Sequence, residues 1–277
     1  MECKTVQCGN SEMHHRTRCI PNGRMPEPTL WTFHPRFMLP HPSPITPSHD
    51  YPRIKTVGSF DELIATPFGD GINALCWPRV LHGDFGEIVK KLDVGKGITS
   101  LDEARLLALD LSAAGQVARA FLLQDQEQLR AHELLPSLDC IHGYENDLEP
   151  ELLRTDVQSW HVDSATVAAD TWLCTYFGPA SEGLRNEQAL RRVDIPALRS
   201  ELLKLHGGAD DASFRDFLNE NYLDLHYVPL PQAQPFSFGL GHLWRIATEY
   251  PGSPVPPCIH RAPATLPDQP PRLLLIS

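Results

Sequence analysis

From Pro21 to Pro52 prolines recur every few residues (Pro26, Pro28, Pro35, Pro40, Pro42, Pro44 and Pro47), and each removes a backbone donor and fixes φ. No helix or central strand can run through such a stretch, so a regular core must be built from residues C-terminal to it. Residues 1–55 are expected to form a proline-rich arm, disordered or laid over the surface, and residues 56–277 a single domain. At 277 residues, 42% of them apolar, the chain can bury one large core without a second full domain. Cys3, Cys8 and Cys19 lie near His14 and His15, but no CxxC pair supports a zinc site there. The seven cysteines have no regular spacing, which fits a reduced compartment better than a disulfide framework.

Folding signals begin at Ser59-Phe60-Asp61-Glu62, a capping box that predicts a short helix. Ile72 to Trp77 reads as a strand, and Asp84 as the cap of a helix through Ile88, Val89 and Leu92. A second box, Ser100-Leu101-Asp102-Glu103, predicts the longest helix, with Leu107, Leu111, Ala114, Ala118 and Phe121 as its packing stripe. Helices are thus expected over 59–130. After Pro136 the texture changes to β-rich runs at Val157 to Val162, Thr171 to Phe177, Phe236 to Ile246 and Arg272 to Ile276, giving a β core over 138–277. A polar segment, 185–234, interrupts it with helical signals at Ala197 to Leu205 and Phe214 to Asn219, and reads as an insertion or lid at the mouth of the core. The class is α+β, an antiparallel core with N-terminal supporting helices.

In Ser159-Trp160-His161-Val162-Asp163 a strand period of two puts His161 and Asp163 on one face and Trp160 and Val162 on the other. A second histidine, His260, stands in Pro257-Cys258-Ile259-His260-Arg261-Ala262-Pro263, and Arg272 opens the run Arg272-Leu273-Leu274-Leu275-Ile276. Two histidines and a carboxylate form the facial triad that leaves positions on a non-haem iron open to chemistry. The planar guanidinium fork of an arginine suits a carboxylate partner.

This ordered set resembles the iron(II) and 2-oxoglutarate-dependent dioxygenase superfamily. Trp160-His161-Val162-Asp163 followed by Thr171-Trp172-Leu173-Cys174-Thr175-Tyr176-Phe177-Gly178-Pro179, with Ile259 to Pro263 ahead of Arg272 to Leu275, is similar to an uncharacterised bacterial and fungal group within it. The resemblance spans residues 70 to 277. It implies a double-stranded β-helix (jelly-roll) core, iron(II) held by His161, Asp163 and His260, and 2-oxoglutarate with its C5 carboxylate on Arg272. It also implies that O2 is consumed, that succinate and CO2 are released, and that a small-molecule substrate is hydroxylated, desaturated or cyclised. Thr175 and Tyr176 are further candidates for holding the co-substrate, and Trp172, Trp244 and Arg245 for lining the substrate pocket.

Competing histidines are set aside on local grounds. In His82-Gly83-Asp84 the aspartate sits where a helix cap belongs. His242 reads as a strand or substrate-face residue, His206 and His226 as solvated residues of the insertion, and Arg261 as an ion-pair partner on the face opposite His260. The alternative to an enzyme is a cupin-like protein that binds or senses a metal without turnover. A net charge of -11 argues against a nucleic-acid partner, because phosphates call for a basic surface. No run approaches the roughly 20 apolar residues of a membrane span, and the N-terminus lacks a secretory core, so a soluble cytoplasmic protein is expected. The arm could also dock on a protein partner with a proline-binding groove.

Overall fold

The computed structural model describes residues 51–144, 151–264 and 269–277. The proline-rich stretch before residue 51, with its cysteines and histidines, lies outside the described residues. The domain begins earlier than residue 56. Tyr51 is buried against Phe236 and donates its hydroxyl to Asn186 Oδ1 at 3.0 Å, while β1 (Ile54–Thr56) pairs with β2 (Ala74–Trp77) in parallel. Three strand residues beside a proline run carry too little pattern to announce this from sequence.

Between these strands lies α1 (Phe60–Ala65), and Ser59 caps it by accepting the Glu62 N–H at 3.1 Å. Glu62 returns its bond one residue earlier than a standard box, from the Gly58 N–H at 2.7 Å. Helix α2 (Phe85–Leu92) follows Asp84, whose carboxylate accepts the Glu87 N–H. The single long helix expected from Ser100 is instead a strand and two helices. Ser100 ends β3 (Gly97–Ser100) and donates to Asp139 at 2.6 Å, Asp102 caps α3 (Glu103–Leu107), and Ser112 caps α4 (Ala113–Ala131). The break has a cause: the Arg119 guanidinium reaches back to the carbonyls of Leu106, Leu107 and Leu109, satisfying acceptors that a continuing helix would have filled. The buried stripe therefore shifts to Gly115, Ala118, Leu122, Gln126 and Leu129, leaving Leu107 exposed.

Further along the chain come β4 (Ser137–His142), β5 (Asp170–Phe177), β6 (Glu182–Leu184), β7 (Ala189–Arg191), β8 (Tyr227–Pro229), β9 (Phe236–Ser237), β10 (Leu243–Ala247), β11 (Ile259–Arg261) and β12 (Arg272–Ile276). One seven-stranded sheet runs β1-β2-β10-β5-β12-β4-β3, antiparallel apart from its β1/β2 edge. A three-stranded sheet, β11-β6-β9, stands apart from it, so the described strands form separate sheets and no closed barrel.

Alternation along the large sheet divides the core in two. Leu75, Leu138, Cys140, Trp172, Cys174, Tyr176, Leu243, Leu273 and Leu275 meet the helices. On the other face Ala74, Cys76, Ile141, Leu173, Trp244, Ile246 and Leu274 meet Phe236, Phe238 and Cys258 from the small-sheet side. The result is an α+β fold of three layers: helices, large sheet, small sheet. No helix among the described residues is long and apolar enough to cross a membrane.

The 185–234 segment folds around its own small core. Helices α5 (Pro196–His206) and α6 (Ala212–Glu220) enclose Val193, Leu202, Phe214, Leu218 and Leu223 above the β7–β8 pair.

Candidate metal centre

His161 and Asp163 do not sit on the regular strand expected over Val157 to Val162. Asp156 accepts the N–H groups of Gln158 and Ser159, both at 2.9 Å, and this turn delays extended pairing until His161. The two-residue alternation survives: Trp160 and Val162 pack with Leu184 and Ile259, while His161 and Asp163 project the other way. His161 is fastened on both sides. Its N–H and C=O exchange bonds with His260 at 3.0 and 2.9 Å, and across the other edge Val162 N–H reaches Leu225 O and Tyr227 N–H reaches Trp160 O. Glu249 N–H holds the Asp163 carbonyl at 2.7 Å. Gly183 lies opposite His260, and a Cβ there would meet the Phe236 ring at 2.2 Å, so the close aromatic packing under the site requires glycine.

The donor atoms converge. Nδ1 of His161 lies 2.8 Å from Ser159 O, and Nδ1 of His260 lies 3.2 Å from Cys258 O. A carbonyl can only accept, so each Nδ1 carries the hydrogen and each Nε2 is left with a free lone pair. These Nε2 atoms stand 4.0 and 3.6 Å from the Asp163 carboxylate, and the three donor atoms all lie within 4.8 Å of one another. Bonds of about 2.0–2.2 Å place two ligands of one ion about 3 to 4 Å apart, the range into which both histidine–carboxylate separations fall.

Protonation states agree with that reading. Burial lowers the His161 imidazole to about 4, the neighbouring His260 adds to the effect, and Asp163 partly offsets it. Burial by itself would raise the Asp163 carboxyl, but His260, His161 and a 2.5 Å bond from the Thr171 hydroxyl outweigh it and hold the group below the usual carboxylate range. An ionised carboxylate beside imidazole lone pairs is the state a divalent cation binds.

Arg272 opens β12, is 4% exposed, and donates to Tyr144 Oη at 3.0 Å and to Ser181 Oγ at 2.9 Å. Ser181 lies two residues before Gly183, the partner of His260, so the arginine shares the space between the sheets with the triad. Its Nε is buried without a partner, and no ion pair with a described carboxylate neutralises it. Burial pulls the guanidinium below its usual range, with the Tyr144 hydroxyl opposing. Thr175 occupies the same sheet face, opposite Leu274, and its hydroxyl is likewise buried and unpartnered.

Other candidates fall elsewhere. Tyr176 points to the helix side, donates to Asp125 at 2.5 Å and stacks on Phe85, because odd and even residues of β5 serve opposite layers. Trp172 belongs to that same helix-side core beside Phe60. Arg245, its cross-strand neighbour, pairs with Asp170 at 2.6 Å and caps the end of α1 through the carbonyls of Leu63, Ile64 and Thr66. Trp244 does lie between the sheets, but it is packed on Phe238 and its Nε1 is spent on Phe238 O at 2.7 Å. None of Trp172, Tyr176 and Arg245 can therefore reach the centre.

Asp84 is a helix cap, His242 accepts the Arg79 N–H, and Arg261 pairs with Glu182 at 2.6 Å, all outside the centre. His206 bonds Ser213 within the insertion. His226 departs from expectation: it is 4% exposed, its ring is 5.8 Å from that of His161, and its Nδ1 is 2.7 Å from Ser159 Oγ. Thr171, Ser181 and Tyr144 were also missed. Only Thr171 had a signal, as it shares the period-two face of Thr175. Compared with known proteins, the chain matches no family model, no curated protein and no solved structure.

Proposed function

We propose that this protein is a non-haem iron(II), 2-oxoglutarate-dependent oxygenase acting on a small molecule. The observation that carries the reading is Arg272: a buried guanidinium with a vacant Nε donor and no described carboxylate, in the same interlayer space as a convergent His-Asp-His set. Burying a cation is costly unless something anionic meets it. A metal-binding protein without turnover, in the manner of a cupin, would use the triad and leave the arginine unexplained.

The donor chemistry fits the ion. His161, Asp163 and His260 would hold iron(II), two imidazoles and a carboxylate being the set that non-haem oxygenases use. Thr171 orients the Asp163 carboxylate, and the carbonyls of Ser159 and Cys258 orient the rings. Arg272 and Thr175 would receive the far carboxylate of 2-oxoglutarate. The facing antiparallel sheets are read, on this proposal, as the two halves of a double-stranded β-helix. When bound, iron(II) with 2-oxoglutarate and O2 supplies an oxidant for a C–H bond of the substrate, with succinate and CO2 released. The chain contributes position and a dry interior: Phe236, Phe238, Trp244 and Leu274 keep water from the space beside the site.

An anaerobic titration tests the proposal. Iron(II) followed by 2-oxoglutarate should develop the weak visible charge-transfer band of the chelate. Metal binding with no band and no 2-oxoglutarate affinity would assign the protein to the non-catalytic class.

A further inference from the structure

We propose that His226 is the hydrogen-bond acceptor of the metal centre: its Nε2 takes an O–H or N–H of the molecule that binds beside the ion, so the substrate carries an alcohol, amine or amide next to the C–H that is attacked. This rests on the metal-centre part of the oxygenase reading. His161 has a histidine opposite it on each side, His260 and His226. Val162 N–H to Leu225 O and Tyr227 N–H to Trp160 O flank the His161–His226 pair. That pattern defines a non-hydrogen-bonded antiparallel pair, in which Cα atoms approach to about 4.5 Å and both side chains project from one face. The rings of His226 and His161 are accordingly 5.8 Å apart, and those of His161 and His260 4.5 Å. Three imidazoles thus form a row on the face that also bears Asp163.

Hydrogen bonding determines which nitrogen of His226 is open. Ser159 has one hydroxyl hydrogen, and it goes at 2.7 Å to the Asp156 carbonyl, which can only accept. The 2.7 Å contact between Ser159 Oγ and Nδ1 of His226 must then carry its hydrogen on the ring nitrogen. Burial keeps the imidazole neutral, so Nε2 holds a lone pair. No described residue bonds that atom, and it is not one of the buried atoms left without a partner, so it keeps a side open to an incoming molecule. It stands one step back from the ion: among the described residues, the donor atoms within 4.8 Å of one another are those of His161, Asp163 and His260. Such a lone pair favours a donor-bearing molecule, because an acceptor or a bare hydrocarbon placed against it leaves the nitrogen desolvated and unpaired.

The probes are hydroxylamine, which has N–H and O–H donors, and azide, which has none. Each is titrated into the cobalt(II)-loaded full-length protein and followed by the visible spectrum. Wild type is compared with His226→Phe, His226→Leu and His226→Gln, the last of which returns an acceptor oxygen near the Nε2 position; the probes' intrinsic affinities for cobalt cancel in the comparison. Hydroxylamine should bind about 3- to 10-fold more weakly in His226→Phe and His226→Leu, the effect of one hydrogen bond, and recover in His226→Gln, while azide and cobalt affinities hold. Thermal midpoints identify the folded variants, and the leucine variant serves if phenylalanine is not accommodated. An unchanged ratio of hydroxylamine to azide affinity in the folded apolar variant overturns the acceptor role and leaves the metal centre standing. Collapse of cobalt affinity in that variant overturns it as well, by making His226 a ligand. If cobalt does not bind the wild type, the metal-centre reading itself fails and this inference falls with it.

Discussion

His161 and His260 face each other across a single backbone bridge, each N–H bonded to the other's carbonyl, with their rings 4.5 Å apart. Residues 99 positions apart in sequence are thereby held at a fixed separation by main-chain bonds, with the packing of Trp160 and Val162 on Leu184 and Ile259 behind them.

Replacing either histidine by alanine should abolish tight iron(II) or cobalt(II) binding and leave the fold intact, because the bridge uses backbone atoms only. Calorimetric metal titration together with a circular dichroism melt checks both halves. Loss of the fold in His260→Ala would show that the imidazole, 9% exposed, carries packing weight of its own.

Thr171→Val keeps the shape and β-propensity of β5 but removes the 2.5 Å bond to Asp163. Metal affinity should fall about 10- to 100-fold, the usual cost of losing a partner behind a ligand. The cobalt(II) visible spectrum should shift as the carboxylate loses its fixed orientation. An unchanged affinity and spectrum would relegate Thr171 to packing.

Arg272→Met retains bulk while removing the charge, and should cost about 2 to 4 kcal/mol of 2-oxoglutarate binding, about 30- to 1000-fold. Iron binding should change little. Tyr176→Phe is the informative control, since its hydroxyl is committed to Asp125 behind the sheet: 2-oxoglutarate affinity should hold while stability drops.

The metal-free protein should lose stability on mild acidification. His161 and His226 sit at about 4 and about 3 in the fold, against 6.5 for the free side chain, chiefly because burial opposes their charge. Below about 6.5 the unfolded chain takes up protons that the native state refuses, so stability is complete above that pH and declines as pH falls toward 4. Urea midpoints at pH 7.5 and 5 measure the slope. His226→Asn should flatten it, and an equal slope in that variant would sever the link.

The triad was legible in the sequence because its geometry depends on neighbours two apart, an alternation that held even where the strand did not. The burial of Arg272 was legible from its place at the head of the apolar run that forms β12, but the register shift between Leu273 and Leu274 against β5 was not. Tyr176, Trp172 and Arg245 were misread since a strand buried on both sides shows no polar alternation to say which face meets which layer. The split of the expected long helix was hidden because Arg119 acts across the break from inside the second helix, a tertiary effect no cap motif encodes. His226 looked solvated because the insertion around it is polar, while the bonds that bury it run to Trp160 and Val162, more than 60 residues earlier.

Those bonds bear on how the 185–234 segment can behave. Val162 N–H to Leu225 O and Tyr227 N–H to Trp160 O sew its base to the backbone on either side of His161, and Arg192 N–H to His226 O closes that base on itself, whereas its tip, the turn Gly207 to Asp211 between α5 and α6, is exposed and lies on no ladder. A hinge at the base would break the pairing that flanks His161. The far turn is free of that constraint, so an epitope or a fluorescent reporter spliced between Gly208 and Asp210 would ride on the domain without disturbing the paired backbone around His161.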